Sequence, residues 1–108
     1  MKGRKPTKAE QEHMDNVRRL GCLICRRYGK RRNAEIHHVY GKTKKDSHFK
    51  VLPLCYEHHR GFLYKDGGPI SRHPYKARFE KKYGKEVELL KEVDSLLVSF
   101  HESESTLF

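Results

Sequence analysis

Four metal-donor side chains in two close pairs constrain this chain more than any other feature: Cys22 and Cys25 in GCLIC, then Cys55 and His58 in LCYEHH. C-x2-C followed by C-x2-H is the pattern of tetrahedral zinc, because each pair sits on a tight knuckle whose two side chains converge on one point. The loop between the pairs closes around the ion and ties the start of the chain to its middle. Such a site supplies folding energy outright. The fourth donor must be drawn from two adjacent histidines, so an exchange of His58 and His59 stays open. Three cysteines cannot all pair within one chain, and in a reducing compartment a close Cys pair more often holds metal than forms a disulfide. A redox C-x-x-C ordinarily opens a helix in a β-α-β pattern, whereas CLIC follows a helical stretch and runs into the basic segment RRYGKRRN.

A staple of this kind suits the composition. The 108 residues are the size of one compact domain, and with 35% apolar and 35% charged residues they provide for one small core with little to spare. The 24 Lys and Arg against 14 Asp and Glu give a formal charge of +10. The surplus lies early: between Arg18 and Lys50 the only acids are Glu35 and Asp46, while the tail HESESTLF is acidic. That asymmetry suits a polyanion on one side. Arg31, Arg32, Lys42, Lys44 and Lys45 are the phosphate contacts expected from their place in the basic loops. No stretch approaches the ~20 apolar residues of a membrane span and no export signal is visible, so no membrane partner and a cytoplasmic location are expected.

Along the chain, residues 1–7 read as a basic tail, 8–100 as the domain and 101–108 as an acidic tail. Thr7 with Glu10 makes a capping box for a first helix that runs to about Leu20 and stops at Gly21. AEIHHVY and SHFKVLPL read as two antiparallel strands joined by the turn GKTKKD. CYEHHRGFLY has the length of a short helix, and Gly67, Gly68 and Pro69 break the chain after it. RHPYKARFEKKYG reads as a helix with Pro74 in its first turn and Gly84 at its end. In EVELLKEVDSLLVSF, Val87, Leu90, Val93, Leu97 and Phe100 form an apolar stripe that belongs to the core.

With Cys55 and His58 on zinc, His59 points elsewhere, since consecutive helical residues lie ~100° apart. His37 and His38 sit on a strand, where neighbours also diverge, so this second doublet is better explained by two roles than by one. These three histidines can surround a catalytic cation.

EIHHV and VLPLCYEHHR, preceded by GCLIC, resemble the HNH endonuclease fold with its β-β-α metal motif, over residues 21 to 63. The fuller pattern GCLICRRYG, AEIHHVYGK, SHFKVLPLCYEHHRG and FEKKYG resembles the phage recombination-enhancement nucleases called Ref, which depend on the RecA recombinase, out to about Leu90. The resemblance implies an α+β fold: a small zinc-bound HNH-type domain in which a two-stranded antiparallel hairpin and a short helix are flanked by further helices. It implies that His38 is the general base, that His37 is a metal ligand and that His59 takes the closing ligand position. His48 stands where such motifs usually carry a middle asparagine and is a further candidate for the catalytic metal. An imidazole of ordinary pKa, near ~6.5, can take a proton from water at neutral pH.

The implied cofactors are a structural Zn2+ and a second divalent cation, Mg2+, Mn2+ or Zn2+. The rest of that cation's coordination comes from water, phosphate or a distant residue such as His73, which otherwise reads as a cap on the helix opening at Pro74. The implied partners are DNA, single-stranded or duplex, and the RecA filament, in a bacterial host carrying the phage or prophage. His13 and His101 read as surface residues. Two rival functions use the same residues: a non-catalytic zinc-stabilised module that binds nucleic acid, and a domain that recruits a recombination factor.

Overall fold

In the computed structural model, residues 5–61 and 68–106 are described, with side chains as far as residue 99. Thr7 and Glu10 form the expected capping box: the Glu10 N–H donates to Thr7 Oγ1 at 3.2 Å and the Thr7 N–H to Glu10 Oε1 at 2.8 Å. Helix α1 (Lys8–Arg19) follows, burying Met14 and Val17. Gly21 turns the chain at a φ of +75°, and a Cβ there would lie 3.1 Å from the Arg32 carbonyl oxygen, so the position requires glycine. The Cys22 N–H donates to that same carbonyl at 2.9 Å, which closes the basic loop on itself.

The short helix α2 (Leu23–Arg27) takes up the start of the segment expected to be loop. It forms because Cys22 caps it: the Cys25 N–H donates to Cys22 Sγ at 3.5 Å, while Leu23 and Ile24 point into the core. The hairpin is antiparallel, with β1 (Glu35–His38) paired to β2 (Val51–Leu54) so that His37 lies opposite Leu52 and His38 opposite Val51. The second strand is shorter than expected, because Ser47–Phe49 coil into a 3-10 turn after Asp46, which takes a left-handed φ of 62°. That turn carries the His48 ring inward.

All four residues of β2 are buried, and α1, α2 and α5 pack around it. Helix α3 (Tyr56–His59) is a single turn that ends at Arg60. A Cβ on Gly61 would lie 2.8 Å from the Glu57 Cα, so only glycine lets the chain double back this closely. Phe62, Leu63, Tyr64 and Gly67 lie outside the described residues.

Helix α4 (Lys76–Tyr83) starts later than expected: Tyr75 is its N-cap and Pro74 lies outside it, while Gly84 ends it as anticipated. Helix α5 (Glu86–Thr106) runs past residue 100. Its apolar stripe is rotated from the expected one. Leu89 and Val93 are buried, Leu90, Leu96 and Leu97 pack at the edge, and Val87 is 47% exposed. The reason is Glu86, whose carboxylate occupies the inward position at the head of the helix and sets its phase. The side chains of Phe100 and His101 lie outside the described residues. His13 is half-buried, its ring set edge-on to Phe49 with centroids 5.4 Å apart. The result is a small α+β fold in which the hairpin carries His37 and His38 and leads directly into Cys55 at the head of α3.

Candidate metal centres

Two groups of donor side chains converge on opposite sides of the α3 turn. The first is Cys22, Cys25, Cys55 and His58, all buried. Cys22 and Cys25 come from the capped start of α2, and Cys55 and His58 from the N-cap and third residue of α3. His58 Nδ1 lies 3.6, 3.7 and 3.2 Å from the sulfurs of Cys22, Cys25 and Cys55, and the Cys25 and Cys55 sulfurs are 3.7 Å apart. A tetrahedron with ligand bonds of about 2.0–2.3 Å has edges of about 3.3–3.8 Å; three of the four separations fall in that range and the 3.2 Å one lies just below it, so the donors stand close to the corners of a zinc site. The donor set, three sulfurs and one imidazole nitrogen, suits zinc. Cys55 is pushed up to about 11, first by its contact with Cys22 and then by burial, and burial also raises Cys25. Cys22 is lowered, first by its contact with Cys55, so the protons that a metal displaces are those held on Cys25 and Cys55.

The second group is His37, His59 and His73, in which one ring nitrogen from each lies within 4.8 Å of the others. His37 is 2% exposed, on the strand face opposite that of His38. The His37 and His59 ring centroids are 5.3 Å apart, and His73 lies 5.0 Å from the first and 5.3 Å from the second. His73 does not cap α4, whose N-terminus has no side-chain cap; its N–H bonds the His59 carbonyl at 2.9 Å, which swings the ring into the cluster.

Two carboxylates orient the rings. Glu86 Oε2 lies 3.0 Å from His37 Nε2, and Glu35 Oε1 lies 2.9 Å from His59 Nδ1. The nitrogens left for a cation are then Nδ1 of His37 and Nε2 of His59. Glu35 is itself held by Arg60 through Nε at 3.0 Å and a terminal nitrogen at 2.8 Å, and this pairing brings its carboxyl down to about 2. Burial lowers His59 against the opposing pull of Glu35, and burial with His37 alongside lowers His73. Both rings are thereby kept in the neutral form that binds metal.

His38 stands beside this group, in a groove of about 520 Å³ that it lines with His37, His59, His73, Arg60 and Lys42. Burial, then His48 and Lys42, lower His38 to about 4. Its Nε2 lies 3.0 Å from Nδ1 of the buried His48. His48 thus sits behind His38, apart from the three-histidine group. A second groove of about 530 Å³ continues from His38, His59, Arg60 and Lys42 to Arg18 on α1.

Of the expected phosphate contacts, Lys42 lines both grooves. Lys44 and Lys45 are exposed in the adjoining loop. Arg31 and Arg32 lie elsewhere, in clefts beside the cysteine cluster, and Arg32 is paired with Glu57 at 2.8 Å. Glu86, Arg72, Arg60 and Glu35 were not singled out by sequence reasoning. Their only local signals are the acidic head of a helix and charges flanking histidines.

A family model described as recombination enhancement, RecA-dependent nuclease matches residues 6–98. The chain belongs to this RecA-dependent nuclease family. Membership makes it a nuclease of recombination, with nucleic acid and RecA as the partners its family description implies. The matched span contains both donor groups, His38 and the full set of orienting charges. In this RecA-dependent nuclease the buried Cys3His group can hold a structural metal such as zinc. Among the described residues no helix is long and apolar enough to cross a membrane.

Proposed function

We propose that this chain is an HNH-type, metal-dependent DNA endonuclease in which His38 is the general base, His37, His59 and His73 hold the catalytic cation, and Cys22, Cys25, Cys55 and His58 hold a structural zinc. One observation carries the proposal: adjacent histidines on the α3 turn face two different donor groups, and His38 opens onto the same groove as the second. A divalent cation there, when bound, stabilises the charge that grows on the phosphate and on the leaving 3′ oxygen. Three imidazoles with no carboxylate among them favour Zn2+ or another nitrogen-preferring transition ion over Mg2+.

The protein's own contribution is a neutral base and a basic track. When His48 Nδ1 accepts from His38 Nε2–H, the lone pair of His38 lies on Nδ1, free to take the proton of the attacking water. That water's oxygen forms a bond to phosphorus, the bond from phosphorus to the 3′ oxygen breaks, and a proton from solvent completes the 3′ hydroxyl. Lys42, Arg60 and Arg18 line the grooves on either side of His38 and supply the backbone contacts that position a strand without reading its sequence.

The test is His38→Ala assayed on single-stranded, duplex and RecA-coated DNA with Mg2+, Mn2+ and Zn2+ in turn. Cleavage is expected to vanish while DNA association and zinc content persist. Failure of the wild-type chain to cut any of these substrates with any of these cations overturns the enzyme and leaves a zinc-stabilised binding module.

A further inference from the structure

Glu86 opens α5 far from either doublet in sequence, yet its side chain is only 4% exposed, with one oxygen on His37 of the second donor group and the other on Arg72 beside His73. We propose that Glu86 is a positioning residue for that centre, fixing His37 directly and the segment that carries His73 through Arg72. The proposal deepens the nuclease reading of the preceding section and rests on it.

Burying a carboxylate is costly unless it is paired and hydrogen-bonded. The Arg72 guanidinium, which is always charged, donates to one oxygen and supplies the countercharge, so the group is paired as an ionised carboxylate. An ionised carboxylate only accepts. His37 Nε2, at 3.0 Å from Oε2, must therefore carry the ring proton, which leaves the Nδ1 lone pair for a cation. The other oxygen accepts from Arg72 Nε.

Arg72 immediately precedes His73, and the backbone there is pinned as well: the Arg72 N–H donates to the His58 carbonyl at 2.8 Å, and the Ser71 hydroxyl lies 2.9 Å from the Gly61 carbonyl oxygen. Glu86 is held in turn, since its own N–H donates to Glu80 Oε2 at 2.9 Å. One carboxylate thus sets the tautomer of one histidine and the location of another. A merely structural ion pair would be complete with Arg72 alone; the second oxygen on a ring of the donor group is what a positioning role adds.

The test uses the full chain with its structural zinc in place and Co2+ alone as the probe of the histidine site, followed by visible absorption and calorimetry. The tautomer of His37 is read by nitrogen-15 NMR. Glu86→Gln keeps the shape and removes the charge. It is expected to weaken Co2+ binding about 10–100-fold and to abolish the uniform Nε2–H tautomer, with zinc content unchanged.

Because a lone buried Arg72 charge can itself unfold the variant, the double substitution Glu86→Gln, Arg72→Gln removes both charges together and is expected to lose the same affinity. If a folded variant of either kind binds Co2+ within about threefold of wild type, far short of the usual loss for such a partner, and keeps the tautomer, the positioning role is wrong while the nuclease reading stands. If the wild-type chain binds no Co2+ beyond its zinc site, the second centre falls and the inference with it.

Discussion

Replacing His58 and His59 one at a time separates the two centres, because the neighbours make different contacts. His58→Ala removes one of four buried donors. A structural zinc contributes roughly 10–16 kcal/mol, so one donor's share is about 3 kcal/mol. The His58 ring also packs edge-on against Tyr83, with centroids 5.3 Å apart, and losing that contact adds about 1 kcal/mol. Against a total stability of roughly 5–15 kcal/mol, a loss of about 4 kcal/mol is severe and lowers Tm by ~15–30 °C.

His59→Ala is milder. It loses the 2.9 Å bond to Glu35, but Glu35 keeps both bonds to Arg60, so no carboxylate is stranded. The cost is about 1 kcal/mol, or a Tm lower by ~4–8 °C. Circular-dichroism melts with and without EDTA, atomic absorption for zinc, and cleavage of RecA-coated DNA read out the pair. His58→Ala should hold zinc more weakly, giving it up to EDTA more readily than wild type, and melt far lower, whereas His59→Ala should keep zinc and lose cleavage. If His59→Ala is the variant that loses zinc, the two histidines have exchanged roles; equal loss of metal in both would collapse the two centres into one.

Four further outcomes are expected. Arg60 first, with His59 assisting, holds Glu35 at about 2 against an ordinary 4.5, so the stability it contributes is present above 4.5 and lost as pH falls toward 2. Glu35→Gln should therefore flatten the acid limb of a low-salt stability profile across that window. As the proposed base, His38 would act in its deprotonated form, and it is lowered to about 4, so cleavage should persist below the ordinary histidine value and fall only as pH approaches 4; a midpoint at 6.5 in folded protein refutes its assignment as base. Lys42→Ala should weaken DNA association and reduce the magnitude of the salt slope by about 1, measured by fluorescence anisotropy, whereas an unchanged slope removes Lys42 from the track. Gly21→Ala forces a side chain into a left-handed backbone 3.1 Å from the Arg32 carbonyl and should cost about 1–2 kcal/mol in urea denaturation.

Features set within a few residues were legible in the chain itself. The cysteine and histidine knuckles, the Thr7 and Glu10 box, the stop at Gly21 and the divergence of His58 from His59 each depend on side-chain directions over one turn or one pleat. These hold wherever the element sits. The two short strands were legible for the same reason, but the extent of the second was not. Ser47–Phe49 has the composition of a strand and coils because His48 is carried in to meet His38, a contact no local pattern encodes.

Tertiary structure decided the rest of the second centre. His73 joins His37 and His59 because Arg72 and His73 bond the backbone carbonyls of His58 and His59, and Glu86 meets His37 because α5, from the far end of the sequence, packs against β2, the strand paired with that of His37. The same contact rotates the α5 stripe so that Leu89 rather than Val87 is buried. Periodicity reports that a helix has an apolar face, but not that Glu86, held by His37 and Arg72, takes the buried position at the head of that face. By itself the sequence determined the two metal knuckles and the two histidine doublets, because short-range geometry dictates them. Which groups complete and orient the second centre was decided only where segments distant in the chain packed together, since convergence of that kind is a property of the chain's path and not of its spacing.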